Sequence, residues 1–407
     1  MNARSESQGS WLEAPASSGP LSGVRVLDFS RILAGPYATM HLADLGADVI
    51  KVEAPGRGDE TRHWGPPYSS DGTASYFLAV NHNKRSIELD LANSEDAQIA
   101  YALAVQADIV VDNFLPGRMK RFGLDRETLA AANPQIVTAT VSGFGRGNMY
   151  SERPGFDFLA QAMGGLMSIT GQPGGEPTRV GVAITDLLAG VLCATGILAA
   201  LSETRTGALG RHIEVSLLDT QISMLANIGS GWLVSESVPE RFGNAHPSIA
   251  PYETLATADK PLAVAVGTDR QFRRFVETLG APQLGTNPDY ATNRDRVVNR
   301  AALVLELEAL LVTNSRDHWL EHLIAADVPV APVNTVAEAL GDPVVRQRMI
   351  AVVNGIPQIR TAINVDGEAL AIHTAPPKLG ADSASIRDHL KSRTQGVMAS
   401  FAAGTSR

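Results

Sequence analysis

The sequence predicts an α/β protein whose first half builds a parallel sheet and whose later half adds a smaller α+β domain. Three observations carry this. Between residues 24 and 144, β-rich runs alternate with helical stretches. The pattern changes character after Arg211. The chain has 407 residues, room for two domains that each bury a core.

The elements follow in order. VRVLDFS (24–30) is β-rich, and Gly35-Pro36 opens a helix to about Leu45. Proline suits a first turn, where its missing N–H costs nothing. Gly46 stops that helix, and Asp48–Glu53 reads as the second strand. Next come a strand at Ser86–Leu91, a helix at Ser94–Gln106 and a strand at Ala107–Phe114, then a helix at Arg126–Ala132 and a strand at Gln135–Phe144. Strands separated by helices at this spacing pair in parallel. The apolar run Leu187–Leu201 predicts a buried helix, shorter than the ~18 residues that span a bilayer.

Past Arg211, HIEVSLLD is a short strand leading into a helix from Leu217 to about Val234. A loop rich in Gly, Pro and His (Phe242–Tyr252) precedes strands at Thr254–Asp259 and Leu262–Gly267 and helices at Gln271–Leu279 and Asn299–Leu311. Beyond Val330 the sequence predicts a turn, a helix and a β-rich tail ending near Leu379.

Composition narrows the function. Lys and Arg number 34 against 43 Asp and Glu, a net charge of −9, which argues against a nucleic-acid partner. An apolar share of 44% with 19% charged residues suits a globular chain and excludes disorder. One cysteine, Cys193, excludes a disulfide framework or a Cys-based zinc site, and no metal is expected. Residues 1–20 are polar and Ser-rich without an apolar core segment, so a mobile arm is expected rather than an address. No membrane partner is expected, and the cytoplasm is the expected compartment. The first βα turn, Ser30 to Gly35, carries a single glycine, so it lacks the G-x-G-x-x-G that lets backbone approach a dinucleotide pyrophosphate.

Six stretches fit one family in order: Val26–Glu53, RGDETR (57–62), NHNKRSIELDL (81–91), DNFLPGRMKRFGL (112–124), RPGFDFLAQAMGGLMSITG (153–171) and VGVAITDLLAG (180–190). Together they closely resemble the class III coenzyme A transferases, a group that also contains the α-methylacyl-CoA racemases. The resemblance runs from Leu21 to Gly380. It implies a large Rossmann-like domain made from both ends of the chain (21–225 and 336–407), a smaller inserted domain (226–335) and two subunits interlocked as a homodimer. It also implies coenzyme A and acyl-CoA as substrates, carboxylic acids as the other reactants and no permanently bound cofactor.

Asp186 occupies the position of the family's catalytic aspartate. By its residues alone it sits where VGVAIT meets an apolar helix, and two readings stand, a helix N-cap or a carboxylate nucleophile. An ordinary Asp has a pKa of ~3.9 and a thiol ~8.5, so displacing a thiolate by a carboxylate runs uphill by about 6 kcal/mol. The resemblance places CoA contacts at Arg31, Ile32, Leu33, Ala34, Leu89, Asn113, Phe114 and Arg121. Because CoA is polyanionic and the protein acidic, local cations are needed; Arg31, Lys84, Arg85, Arg118 and Arg121 are the candidates. The loop GNAHPSIAPYETLATAD (243–259) resembles the dicarboxylate CoA transferases. Gly243, Asn244 and His246 are candidates for its oxyanion or acyl contacts; for His246 a structural role is the competing reading.

Three positions depart from the family pattern. Leu33 stands where the formyl-CoA enzymes carry glutamine, and Ser142 stands at a lysine contact. Phe156, in Gly155-Phe156-Asp157, replaces the histidine of the racemase pair, and phenylalanine exchanges no proton. The sequence therefore points to CoA transfer, with racemisation or non-catalytic CoA binding as the rivals.

Overall fold

The computed structural model describes residues 19–391, so all but the last two residues of the expected N-terminal arm, and the chain beyond 391, lie outside the described residues. The chain forms two compact units. Among the described residues, one comprises 19–165, 180–230 and 347–391; the other comprises 166–179 and 231–346. The second unit thus takes up the stretch 166–179, and the return to the first comes at 347.

The first unit is built on strands β1 (Arg25–Asp28), β2 (Asp48–Glu53), β3 (Lys84–Glu88), β4 (Ile109–Asp112), β5 (Val137–Ser142) and β6 (His212–Ser216). They pair in parallel in the order β3-β2-β1-β4-β5-β6. Helices cover both faces, and the middle strands are buried nearly throughout, as strands between two helical layers are, including Lys51 of β2 and Thr138 and Thr140 of β5. On one face α1 (Ala34–Asp44) packs against the long helix Ile184–Arg205. On the other, Ala100, Leu103, Leu129 and Ile386 close a second cluster over Leu27, Ile50 and Val110. Order reverses between β1 and β4, so the loops leaving their carboxyl ends part and open a crevice.

The helix Ile184–Arg205 outruns the predicted apolar stretch at both ends. Its 22 residues are by length and composition enough to cross a membrane, yet half of its most apolar window is buried inside the protein. Gly190 explains how it packs so closely on α1: a Cβ there would lie 2.7 Å from the carbonyl oxygen of Ala34. Cys193, three residues on, is fully buried, and burial pushes its thiol up to about 12.

The C-terminal segment is hydrogen-bonded into the first unit. The Ser86 N–H donates to Asp382 (2.9 Å), Arg62 donates to the Pro377 carbonyl (3.1 Å), and Arg387 donates to Asp96 (2.7 Å). The helix expected from Leu217 to Val234 is two, Leu217–Ser223 and Ala226–Ser235. They part at Ala226, whose positive φ of 42° no continuous helix accommodates.

In the second unit Tyr252–Leu255, Leu262–Ala265 and Val330–Pro332 form a three-stranded antiparallel sheet. The first of these ends earlier than expected, because Asp259 turns the chain by accepting from the Lys260 N–H and the Thr257 hydroxyl. Helices Asn293–Val298 and Arg316–Ala325 were not anticipated. Both begin on cap signals present in the sequence, Thr292 with Asp295 and Ser315.

Candidate active site

Two loops meet at the β1/β4 crevice. The Arg31 N–H donates to Asn113 Oδ1 at 3.0 Å, and Asn113 Nδ2 donates to the Arg31 carbonyl at 2.7 Å. The Arg31 guanidinium lies 5.2 Å from the centroid of the Phe114 ring and pairs with Glu60 at 2.8 Å. Residues far apart in the chain, and singled out separately, are thus stitched into one turn.

Asp186 stands in the first turn of the helix Ile184–Arg205, but it is not the cap. The N-cap is Ala183, which offers no side-chain acceptor. Asp157, at the start of helix Asp157–Met163, supplies one instead: its Oδ1 accepts from the Thr185 N–H at 2.9 Å, and its Oδ2 accepts from Gln161 Nε2 at 2.7 Å. Gln161 in turn accepts from the Val180 N–H, and the Thr185 hydroxyl donates to Gln221. The cap reading of Asp186 is therefore replaced: a second acid ties down the helix end and leaves the Asp186 carboxyl uncommitted. None of the described residues donates a hydrogen bond to it. Burial, with the like charge of Asp157 second, pushes it up to about 7.

Asp186 lines a cavity of about 240 Å³ together with Arg31, Ile32, Leu33, Ala34, Asn113 and Phe114. Phe156 and Ser142 also line it, so with Leu33 all three departures from the family pattern border the same space as the carboxylate. Leu89 is buried and lines an adjoining cleft of about 430 Å³ that shares Arg31 and Phe114. Arg118 lines that cleft, whereas Arg121 is exposed and lines neither.

Two expected cations are excluded. Lys84 is buried, its Nζ donating to the Pro36 carbonyl, Asn81 and Asp28 at 2.8, 3.0 and 3.2 Å. Arg85 is spent on Asp48, bonded at 3.1 and 2.5 Å. Both open β3, at the opposite end of the strands from the crevice, and sequence alone does not distinguish those ends for a cation.

The candidate loop of the second unit is held by its own backbone. The Gly243 N–H donates to the Gly171 carbonyl at 3.1 Å, so it is not available to an oxyanion. Asn244 Nδ2 donates to Thr254 at 3.0 Å. His246 is engaged on several sides: its N–H donates to the Tyr252 carbonyl, its Nδ1 accepts from the Ser248 N–H, and its carbonyl accepts from Arg300. These contacts engage its backbone and one ring nitrogen. His318 and His322, four apart on one helix, stack with ring centroids 4.2 Å apart. Among the described residues no group of three His, Cys, Asp or Glu could hold a metal ion.

A family model described as CoA-transferase family III matches residues 21–383. The chain is 40% identical over 394 residues to a succinate–glutarate CoA-transferase of Agrobacterium fabrum, covering 93% of this chain and 98% of that one. It is 39% identical to an acetyl-CoA:oxalate CoA-transferase of Acetobacter aceti, covering 91% and 95%. Among solved structures it resembles a CAIB/BAIF family protein from Brucella suis, with 42% identity, a TM-score of 0.85 and coverage of 91% and 99%.

Proposed function

The chain belongs to CoA-transferase family III, and from that premise we propose that it moves coenzyme A between dicarboxylic acids through covalent intermediates on Asp186. The dicarboxylate assignment rests on the relatives named above, whose names give succinate, glutarate and oxalate, with acetyl-CoA as the donor to oxalate. The observation that carries the mechanism is the state of Asp186, half-buried, without a hydrogen-bond donor among the described residues and lining the same cavity as Arg31–Ala34 and Asn113.

An Asp186 oxygen attacks the thioester carbonyl, expelling CoA thiolate and leaving an aspartyl–acyl anhydride. The thiolate attacks the Asp186 carbonyl, releases the donor acid and forms an aspartyl-CoA thioester. The acceptor carboxylate displaces the thiolate again, giving a second anhydride. Thiolate then attacks the acyl carbonyl of that anhydride, which yields the new acyl-CoA and restores Asp186. With the carboxyl raised to about 7, the thiolate–carboxylate mismatch shrinks from about 6 to about 2 kcal/mol. An aspartate without donors is thus suited to a near-balanced exchange of leaving groups.

A matrix of acyl-CoA donors against free acids, read by mass spectrometry, tests this. Exchange between dicarboxylates is the expected result, and thioester exchange confined to monocarboxylates refutes the substrate class. Because Phe156 supplies no proton-transfer group to the cavity that Asp186 lines, a chiral 2-methylacyl-CoA in deuterated water should keep its Cα hydrogen. Deuterium uptake without an acceptor acid would instead favour racemisation.

Assembly as an interlocked homodimer is part of the same reading. No residue of helix Ala226–Ser235 is buried, and its Trp232, Leu233 and Val234 are 48, 75 and 88% exposed. Apolar surface of this kind marks an interface. Sedimentation velocity should give one dimeric species down to nanomolar protein; a folded monomer would overturn this.

A further inference from the structure

We propose that the buried Lys51–Asp59 ion pair is a positioning device: it holds the turn Ser30–Ile32 in a strained, binding-ready shape before any ligand arrives. The strain is at Ile32, whose φ is 73°. A β-branched residue is a genuine outlier in the left-handed region and persists only where its surroundings over-determine it.

The surroundings do so here. Arg31 lies between two peptide units, and each is gripped at both ends by side chains from elsewhere in the chain. In the first, the Ser30 carbonyl accepts from Lys51 Nζ at 2.7 Å and the Arg31 N–H donates to Asn113 at 3.0 Å. In the second, the Arg31 carbonyl accepts from Asn113 at 2.7 Å and the Ile32 N–H donates to both Asp59 oxygens at 3.1 and 3.3 Å. Lys51 and Asp59 are joined at 2.9 Å with neither side chain exposed. Asp59 is itself anchored by the N–H and hydroxyl of Thr61 at 3.0 and 2.7 Å. Burial alone would raise the Asp59 carboxyl, but the Lys51 charge and the two Thr61 hydrogen bonds outweigh it and hold Asp59 ionised, well below the usual carboxylate range, at about 2.

The turn leads into Leu33 and Ala34, which line the Asp186 cavity, while Arg31 also lines the larger cleft. A ligand that meets a preformed turn spends none of its binding energy ordering it. The inference rests on the reading that this crevice takes acyl-CoA, and it adds Lys51 and Asp59, which border the larger cleft with no side-chain surface exposed, as positioning residues that act through backbone.

The test has two arms, preceded by calorimetric titration of the wild-type enzyme with CoA. If CoA does not bind at all, the functional reading fails first. In the first arm, Asp59→Asn keeps an acceptor oxygen but removes the charge. It should raise KM for acyl-CoA at least tenfold while KM for the free acid stays within twofold. Adding Ile32→Gly to Asp59→Asn should recover most of that loss, because glycine takes a positive φ without being held. A merely destabilised protein would not be rescued this way, so an unchanged KM for acyl-CoA, or no rescue, overturns the proposal. The second arm needs no variant and decides if Asp59→Asn does not fold. In CoA-free wild-type enzyme the Ile32 amide should exchange slowly with deuterium, at a rate CoA alters less than threefold. Fast exchange that slows only on CoA binding would show that the ligand orders the turn.

Discussion

Asp186→Ala is expected to lower kcat by about four orders of magnitude, the scale on which loss of a covalent nucleophile acts. CoA affinity should stay within a few-fold, because the turn and the Asn113 contacts that define the cleft do not involve this side chain. Single-turnover kinetics and calorimetry separate the two effects. Hydroxylamine added during turnover should convert Asp186 of the wild type to a hydroxamate, detectable by peptide mass spectrometry. Loss of CoA binding in parallel with activity would mean that the carboxylate serves the fold instead.

A stability measurement on Asp186→Asn gives an independent check with a definite sign. The folded protein holds this proton up to about pH 7, whereas an unfolded chain releases it near 3.8. Between those values the folded state binds more protons, so wild-type stability falls as pH rises, and the penalty is complete above pH 7. The amide escapes the penalty. Its Tm should exceed that of the wild type at pH 8 and match it at pH 4, the exchange of stability for activity expected where a charge is buried for function.

What could be read from the sequence divides along physical lines. Strands of the first unit were legible because strands buried between two helical layers are dense in β-branched residues, as in Ile109–Val111 and Val137–Val141. Strand order was not, since it depends on pairings such as Val26 with Ile109 that no local pattern encodes. Asp186 was located by its motif, but its environment was not. The preference of Asp for N-cap positions offered a competing role for it, which Asp157, 29 residues earlier, performs. Charge was the least legible property. Lys84, a candidate cation for CoA by sequence, is buried in the fold, as is Lys51. Arg31, Asn113 and Phe114 came through the resemblance, and only the structure shows that the first two hold each other.

Gly155→Ala is the other substitution with a large expected effect, for a reason confined to backbone. A Cβ at Gly155 would lie 2.2 Å from the Gly143 Cα, and one at Gly143 would lie 2.5 Å from the Gly155 Cα. No rotamer relieves a clash between main chains, so one strand of the crossing must move by about an ångström. Gly143 is the less free to do so, because it follows β5 directly and its carbonyl accepts from the Leu218 N–H at 3.0 Å. The displacement therefore falls on Pro154–Asp157. That carries Phe156 across the cavity and draws Asp157 from the Thr185 N–H, next to the reacting carboxylate. Overpacking of this kind costs about 1–3 kcal/mol, and an ångström at a reacting group costs about 10²-fold in rate. Gly155→Ala should thus lower Tm by several degrees and kcat by about 10²-fold, with both substrates still bound. Gly181→Ala, at a position with open space around its Cβ, supplies the control and should leave both unchanged. If Gly155→Ala keeps full activity while losing stability, the crossing supports only the fold, and the link from Asp157 to Asp186 is not what places the nucleophile.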